Sequence, residues 1–155
     1  MKGIPTTENS NRLLARLRRV RQLAFTASSN SDAGWNAKGE GVVAIDETSP
    51  EQIVFRETGH WIAPNGKRFR FHNVYRWTRL SEEVVRLEHL RMGVTRPVLL
   101  FDLTPSGEAC WVSVTGHQCK QDCYTAELWV EESGVQLEWI VEGPERRDVI
   151  GYVYE

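Results

Sequence analysis

The regular alternation of side chains over residues 68–77 constrains the fold of this chain more than any other feature. Phe69, Phe71, Asn73, Tyr75 and Trp77 fall on one side of an extended segment. The positions between them carry three arginines, one histidine and one valine. Because successive side chains of a strand point to opposite faces, this period of two predicts a strand with one buried face and one largely solvated face.

Further segments of strand character follow one another along the chain, separated by short turns rich in Pro, Gly, Ser and Asn. The expected strands are a first one ending near Ser28, then Trp35–Ile45, Gln52–Ile62, Lys67–Leu80, Glu83–Met92, Val98–Leu103, Cys110–His117, Tyr124–Glu131, Val135–Glu142 and Asp148–Tyr154. Such short connections predict antiparallel neighbours and leave no room for the crossover helices of a parallel sheet.

The N-terminal stretch is the one place where a helix competes with a strand. Apolar residues recur at helical spacing from Leu13 to Ala24, and Ser10 or Asn11 could cap the start. Leu23, Phe25 and Ala27 then alternate as in a strand. We expect residues 1–15 to be partly flexible or helical, with a short helical turn at 9–15.

A sheet of this many strands exposes unpaired edges unless it closes on itself. The sequence therefore predicts a single all-β domain over residues 1–155, an antiparallel up-and-down barrel of about 8–10 strands. A two-sheet sandwich is the second choice. Six tryptophans suit either interior and are also typical of ligand cavities.

Composition and charge narrow the class of protein. Hydrophobic residues make up 41% of the chain and charged residues 26%, as in ordinary globular proteins. No apolar run is long enough for a membrane-spanning helix, and the first residues lack the apolar core of a secretory signal. Three cysteines fit a reducing compartment, so we expect a cytoplasmic protein. Positive charge gathers in residues 1–25, and the acidic remainder argues against nucleic acid as a partner.

Several short motifs resemble a bacterial family of uncharacterised, lipocalin-like domains. They are Glu88–Gly93 with Pro97, Leu100–Leu103, the H-x-C-x-x-D-x-Y segment from His117 to Tyr124, and Trp139-x-Val141-x-Gly143-Pro144 followed by basic residues and Asp148. The resemblance runs from about Phe25 to the end and implies a calycin-type barrel with no established activity. Two features depart from the pattern. True lipocalins carry Gly-x-Trp on the first strand, whereas Gly34 and Trp35 are adjacent here. In the family the basic pair follows Gly-Pro directly, whereas here Glu145 separates Gly143-Pro144 from the basic pair.

The H-x-C-x-x-D-x-Y segment contains residue types that bind metals. His117, Cys119, Asp122 and Cys123 could each be a zinc ligand, but no C-x-x-C pair occurs to complete a structural site. The simpler interpretation is a barrel turn fixed by hydrogen bonds, and neither a metal nor another cofactor is expected. A Cys–His nucleophile is not favoured either, so no catalytic residue is assigned. The role of the segment stays open.

Four polar residues lie on otherwise apolar strand faces. Glu57, Asn73, His89 and Arg91 each follow apolar residues at even steps. Buried polar groups cost several kcal/mol unless they are paired. They therefore form either a mutually satisfied core, with Glu57 against Arg91, or a recognition site for a polar or anionic small molecule.

The leading hypothesis is a barrel that binds a small, partly polar ligand in its interior. The expected ligand-binding residues are Glu57, Phe71, Asn73, Tyr75, Trp77, His89, Arg91, His117, Tyr124 and Trp139. One alternative is an acid–base isomerase or lyase that uses the same cavity, with His89 or His117 and a carboxylate. Another is a structural or protein-interaction module whose barrel is filled by side chains. No membrane partner is expected, and a homodimer is left open.

Overall fold

The computed structural model describes residues 8–30, 36–114, 117–119 and 122–155, with the backbone alone described for 117–119 and 122. Its elements, in chain order, are α1 (Ser10–Leu17), β1 (Gln22–Ser29), β2 (Asn36–Ser49), β3 (Gln52–Ile62), β4 (Arg68–Ser81), β5 (Val84–His89), β6 (Val98–Pro105), β7 (Cys110–Ser113), β8 (His117–Cys119), β9 (Asp122–Val130), β10 (Val135–Glu142) and β11 (Arg147–Tyr154). The segment expected as one strand over Cys110–His117 is instead divided between β7 and β8, which both pair with β9.

Ten of the strands in the described ranges close into an antiparallel barrel. Strands β1 to β7 are neighbours in chain order, β9 follows β7, and β10 pairs with β9 on one side and β11 on the other. Pairing of β11 with β1 completes the ring, and β8 pairs with the first residues of β9 on the edge that β7 also uses. The predicted all-β barrel is confirmed, and the alternative of a two-sheet sandwich is wrong.

The alternation in residues 68–77 has the predicted meaning. Strand β4 pairs with β3 over the whole of Gln52–Ile62, which places Phe55 opposite Tyr75 and Glu57 opposite Asn73. Tyr75 and Trp77 are buried in the barrel core. The arginines of the opposite face, at 68 and 70, are exposed. One face of β4 therefore lines the interior and the other meets solvent.

The N-terminal helix α1 is longer than the turn expected at 9–15. Its N-cap is Asn9, not Ser10 or Asn11; the Asn9 side chain accepts a 3.0 Å hydrogen bond from the backbone N–H of Arg12. Leu13, Leu14 and Leu17 are almost completely buried, so the helix is a fixed part of the core. No helix in the described ranges is long and apolar enough to span a bilayer.

Helix α1 lies across one end of the barrel. The backbone N–H of Ser10 donates to Glu82 O at 2.8 Å, in the turn between β4 and β5. The Arg16 guanidinium donates to Glu132 O at 2.7 Å, in the turn between β9 and β10, and Arg18 reaches Pro50 O at 2.6 Å between β2 and β3. These contacts close that end of the barrel, and the β5–β6 connection lies at the other.

Glycine permits the close approach of β2 and β3 on the barrel wall. A Cβ on Gly59 would run into the carbonyl oxygen of Glu40 and would lie 2.6 Å from the Cα of Gly41 and 2.8 Å from the ring of Phe71. Phe71 in turn packs edge-on against Phe25, with ring centroids 5.3 Å apart. The space left by the absent side chains is thus filled by aromatic rings from the neighbouring strands β1 and β4.

Candidate functional site

A cavity of about 390 Å³ lies in the half of the barrel away from α1. Its walls come from five barrel strands and the β5–β6 connection. The lining residues are Tyr75, His89, Arg91, Val98, Leu99, Leu100, Tyr124 and Trp139. Aromatic and aliphatic side chains make up most of this wall, with a small number of polar groups among them, as is typical of small-molecule sites.

The cavity exists because the barrel wall is incomplete between β6 and β8. Strand β6 pairs with β7 only from Leu103 to Pro105, and β7 pairs with β9 only from Cys110 to Val112. Strand β8 continues along the same edge of β9, and no described pairing joins it to the first half of β6, which carries Leu100. The side chains of Leu100 and Tyr124 line the space that this leaves.

His89 and Arg91 are held at the end of β5 by a local hydrogen bond. The backbone N–H of Arg91 donates to Nδ1 of His89 at 2.9 Å. A neutral imidazole that accepts at Nδ1 carries its proton on Nε2, so its remaining polar atom is a donor. Burial, and then the charge of Arg91, lower the pKa of His89, which keeps the ring neutral near pH 7. Arg91 itself is exposed and makes no ion pair with any described residue.

Trp139 forms the aromatic side of the cavity. Its ring lies 5.3 Å from Phe101, 6.0 Å from Tyr152 and 6.4 Å from Tyr75, measured between centroids. Its Nε1 is buried and finds no acceptor among the described residues. A buried donor without a partner costs about 1–3 kcal/mol. The ring of Trp139 thus lines the cavity, while its N–H is buried without an acceptor among the described residues.

Tyr75 links the cavity to a buried polar cluster behind it. Its ring stands edge-on to His89 with centroids 4.7 Å apart, and its hydroxyl lies 3.4 Å from that of Tyr152. The rings of Tyr152 and Tyr154 are stacked with centroids 5.3 Å apart. Burial raises the pKa of all three phenols above the usual range, so they remain protonated.

Glu57 is the carboxyl end of this cluster. Its side chain is fully buried, and Tyr154 donates a 2.6 Å hydrogen bond to Oε2. Burial raises the carboxyl pKa from 4.5 to about 7, while Tyr154 and the neighbouring Asn73 act in the opposite direction. Oε1 has no partner of hydrogen-bonding geometry among the described residues. Tyr152, Tyr154 and Glu57 form an enclosed acid cluster that adjoins the cavity through Tyr75 without lining it.

Comparison with known proteins begins with the family. The model of DUF6314, a family of unknown function, matches residues 18–155. This chain belongs to DUF6314. The match contains every strand of the barrel, and α1 precedes it. Membership of an uncharacterised barrel family is the part of the sequence resemblance that is confirmed. No curated protein sequence matches the chain.

Among solved structures, this DUF6314 barrel is similar to the S-type phycobiliprotein lyase CPES from Guillardia theta. The TM-score is 0.58 at 11% sequence identity, over 94% of this chain and 95% of the lyase. Two other similar structures are the barrels EF1p2_mFAP2b and redesigned mFAP1, each bound to DFHBI. Their TM-scores are 0.45 and 0.38 at 9% and 8% identity, covering 94% and 85% of this chain and 98% and 92% of theirs. At such low identity, the similarity to the lyase shows only that the two proteins share a fold.

The structure brings five of the ten sequence-predicted binding residues to the cavity. These are Tyr75, His89, Arg91, Tyr124 and Trp139. Glu57 and Asn73 face each other in the enclosed cluster. Glu57 pairs with Tyr154, whereas the pairing with Arg91 considered from sequence is absent among the described contacts. The side chain of His117 lies outside the described residues, as do those of Cys119 and Asp122.

Phe71 and Trp77 share the inner face of β4 with Tyr75 but lie at different positions along the barrel axis. Phe71 packs on the glycines of β2 and β3. Trp77 is fully buried near α1, where it contacts Phe55 with ring centroids 5.8 Å apart. Neither side chain lines this cavity.

Sequence reasoning missed Tyr152 and Tyr154, which build the acid cluster. The signal was available, because Ile150, Tyr152 and Tyr154 alternate along a strand that was predicted. It also missed the aliphatic part of the wall at Val98, Leu99 and Leu100, where a bulge between Leu87 and Glu88 shifts the β5–β6 register. Such a shift changes which residues face inward, and the sequence gives no sign of it.

A larger depression of about 970 Å³ lies on the outer surface of β1–β4. It carries the cations of Arg68 and Arg70, together with His60, His72 and Glu40. As an open groove on the outside of the wall it would leave a small molecule largely in water. Within the described side chains, no group of three His, Cys, Asp or Glu is placed to hold a metal ion.

Proposed function

We propose that this DUF6314 protein binds a small molecule in the cavity walled by Tyr75, Tyr124 and Trp139. The observation that carries the proposal is an unfilled space whose wall is mostly aromatic and aliphatic, with His89 and Arg91 as its polar side chains. Its volume of about 390 Å³ falls within the range of about 300–1,000 Å³ found for small-molecule sites. The 11% identity with the lyase supports the barrel fold, so the case for a ligand rests on the cavity itself.

The unpartnered N–H groups elsewhere in the barrel make the position of Trp139 informative. Trp77 and Trp111 also have a buried Nε1 without an acceptor, but they stand in the packed core near α1 and do not line this cavity. At Trp139 the ring lines open space, although its Nε1 atom is itself buried. A guest with an acceptor atom satisfies this N–H once the indole turns toward it, whereas a barrel filled by its own side chains would leave no space beside the ring.

Acid–base catalysis in the same cavity is the second candidate function, favoured by the neutral imidazole of His89. Its lowered pKa leaves the ring neutral near pH 7, the form in which an imidazole can exchange a proton with a substrate. However, no carboxylate is part of the described cavity wall, and Glu57 is enclosed behind the tyrosines. Once a turned-over substrate is known, an activity that survives His89→Gln unchanged would exclude this candidate.

The test of the proposal is a fluorescence titration with phenylnaphthylamine, an uncharged probe that brightens in apolar sites. We expect saturable binding that Leu100→Trp weakens at least about tenfold, since the added indole occupies the cavity. Leu80→Trp, at an exposed position, is the matched control and should bind like the parent protein. Thermal unfolding checks that both variants fold.

Native mass spectrometry of gently purified protein provides an independent readout. A discrete extra mass that disappears on denaturation would identify a carried ligand and support the proposal. Probe binding that Leu100→Trp leaves intact would place the probe outside this cavity. Absence of saturable binding together with a clean protein mass would favour the filled, structural barrel.

A further inference from the structure

We infer that the ligand of this cavity is an amphipathic organic anion, with an apolar body the size of one or two rings and a carboxylate or similar acidic group. The inference rests on the proposed function and specifies its ligand class. It follows from the charge of the polar groups in the wall, together with their character as hydrogen-bond donors.

The side chains that line the cavity carry several hydrogen-bond donors. The neutral ring of His89 offers Nε2–H because its Nδ1 already accepts the Arg91 N–H at 2.9 Å, and Trp139 carries an unpartnered Nε1–H that is buried in the wall. Arg91 adds a guanidinium, which has donors and no acceptor. A guest that matches this wall must therefore supply acceptor atoms.

The charge in the wall is positive. Arg91 is the cation, and it has no anionic partner among the described residues. The lining residues of the cavity include no Asp or Glu within the described part of the chain. Three of the six arginines on strands β3 to β6 are paired: Arg56 with Asp46, Arg76 with Glu88 and Arg86 with Asp102. Arg91 stands at this cavity without such a pair, so an anionic guest complements it.

The remaining wall sets the shape of the guest. Val98, Leu99 and Leu100 form an aliphatic side, and Tyr75, Tyr124 and Trp139 an aromatic one. Burial of apolar surface between them contributes roughly 25 cal/mol per Å². A hydrophilic anion such as free phosphate would forgo this contribution, whereas a ring system that carries one acidic group uses both features of the site.

The experiment compares two probes that differ by one charge: anilinonaphthalene sulfonate and its uncharged parent, phenylnaphthylamine. We expect the sulfonate to bind the unmodified protein more tightly, and Arg91→Gln to weaken sulfonate binding about tenfold while changing binding of the parent less than about twofold. Arg96→Gln, an exposed arginine on the same connection, is the matched control and should alter neither probe. Added salt should weaken the sulfonate selectively, because Arg91 is exposed.

The outcomes separate the two proposals. Equal affinity of both probes, or an equal loss of both in Arg91→Gln, would overturn the anion inference and leave a binding barrel. Failure of both probes to bind would overturn the proposed function, and the inference with it. Selective loss of the sulfonate in Arg91→Gln supports both.

Discussion

Tyr154 donates a 2.6 Å hydrogen bond to Oε2 of Glu57 in the interior of the barrel. The two residues lie on β11 and β3, which are separated in the wall by β1 and β2, so the bond spans the interior. Both side chains are almost completely buried. The groups that face Glu57 from the other elements are Asn73 and Tyr75 on β4 and Tyr152 on β11, none of which is charged. A carboxyl in this setting is more easily kept neutral than ionised.

Glu57 should therefore make the stability of the barrel depend on pH. Its pKa is raised from 4.5 to about 7 in the folded protein, so the folded state holds the proton more tightly than the unfolded state. The stabilisation from this group is complete below about pH 4.5 and is lost as pH rises to about 7. At about 1.4 kcal/mol per pKa unit the loss amounts to roughly 3 kcal/mol.

The matched comparison is Glu57→Gln, which keeps the shape and an acceptor for Tyr154 but does not titrate. Urea unfolding of both proteins from pH 4 to pH 8, about the window of the titration, should show the variant gaining stability relative to the parent as pH rises. Parallel curves for the two proteins would mean that Glu57 keeps an ordinary pKa and that the enclosed acid cluster has been misread.

Tyr154→Phe should destabilise the barrel and raise the pKa of Glu57 further. Removal of the hydroxyl leaves Oε2 buried without a donor, at a cost of about 1–3 kcal/mol. Because the hydrogen bond from Tyr154 lowers the carboxyl pKa, its loss shifts the pH-dependent window of stability upward. Tyr152→Phe is the control, since the Tyr152 hydroxyl lies 3.4 Å from Tyr75 and does not bond Glu57. Equal effects of the two substitutions would contradict a specific role for the Tyr154–Glu57 bond.

The barrel could be predicted from the sequence because the patterns that specify its strands and turns lie within short segments. Alternation over residues 68–77 gives the inner face of β4, and short turns give antiparallel pairing. The position of a residue along the barrel axis depends on how the ring closes, and closure involves residues that are far apart in the sequence. Tyr75 and Trp77 are therefore indistinguishable in sequence, yet one lines the cavity and the other packs in the closed half near α1. The β5–β6 bulge that brings Val98–Leu100 to the cavity has the same non-local origin.

Trp77 and Arg91 should accordingly differ in their contributions to the stability of the barrel. Trp77→Ala removes a fully buried ring and should cost about 3–5 kcal/mol, with any effect on ligand binding following from unfolding. Arg91→Ala alters an exposed side chain and should change the free energy of unfolding by less than about 1 kcal/mol. Urea unfolding measures both. A Trp77→Ala protein that folds normally but fails to bind would return Trp77 to the binding site.

Gly59→Ala should disrupt the closure of the barrel. The new Cβ meets the backbone carbonyl of Glu40, which cannot rotate away, so we expect a loss of at least about 1–3 kcal/mol. Gly151→Ala is a matched control in another strand, because its nearest neighbour would be the Thr26 hydroxyl at 3.4 Å. Thermal unfolding of the two variants should differ clearly. Similar melting temperatures would show that the wall between β2 and β3 can spread.

Trp139→Phe should weaken ligand binding while leaving the stability of the barrel nearly unchanged. The substitution deletes a buried N–H that has no acceptor, a gain of about 1–3 kcal/mol, and it also loses ring contacts with Phe101 and Tyr152, a cost of similar size. We therefore expect the free energy of unfolding of the unliganded protein to change by less than about 1 kcal/mol. Binding of anilinonaphthalene sulfonate should weaken, since the guest loses a donor. A variant that is strongly destabilised but binds as tightly as the parent would show that the indole N–H serves the core and not the ligand.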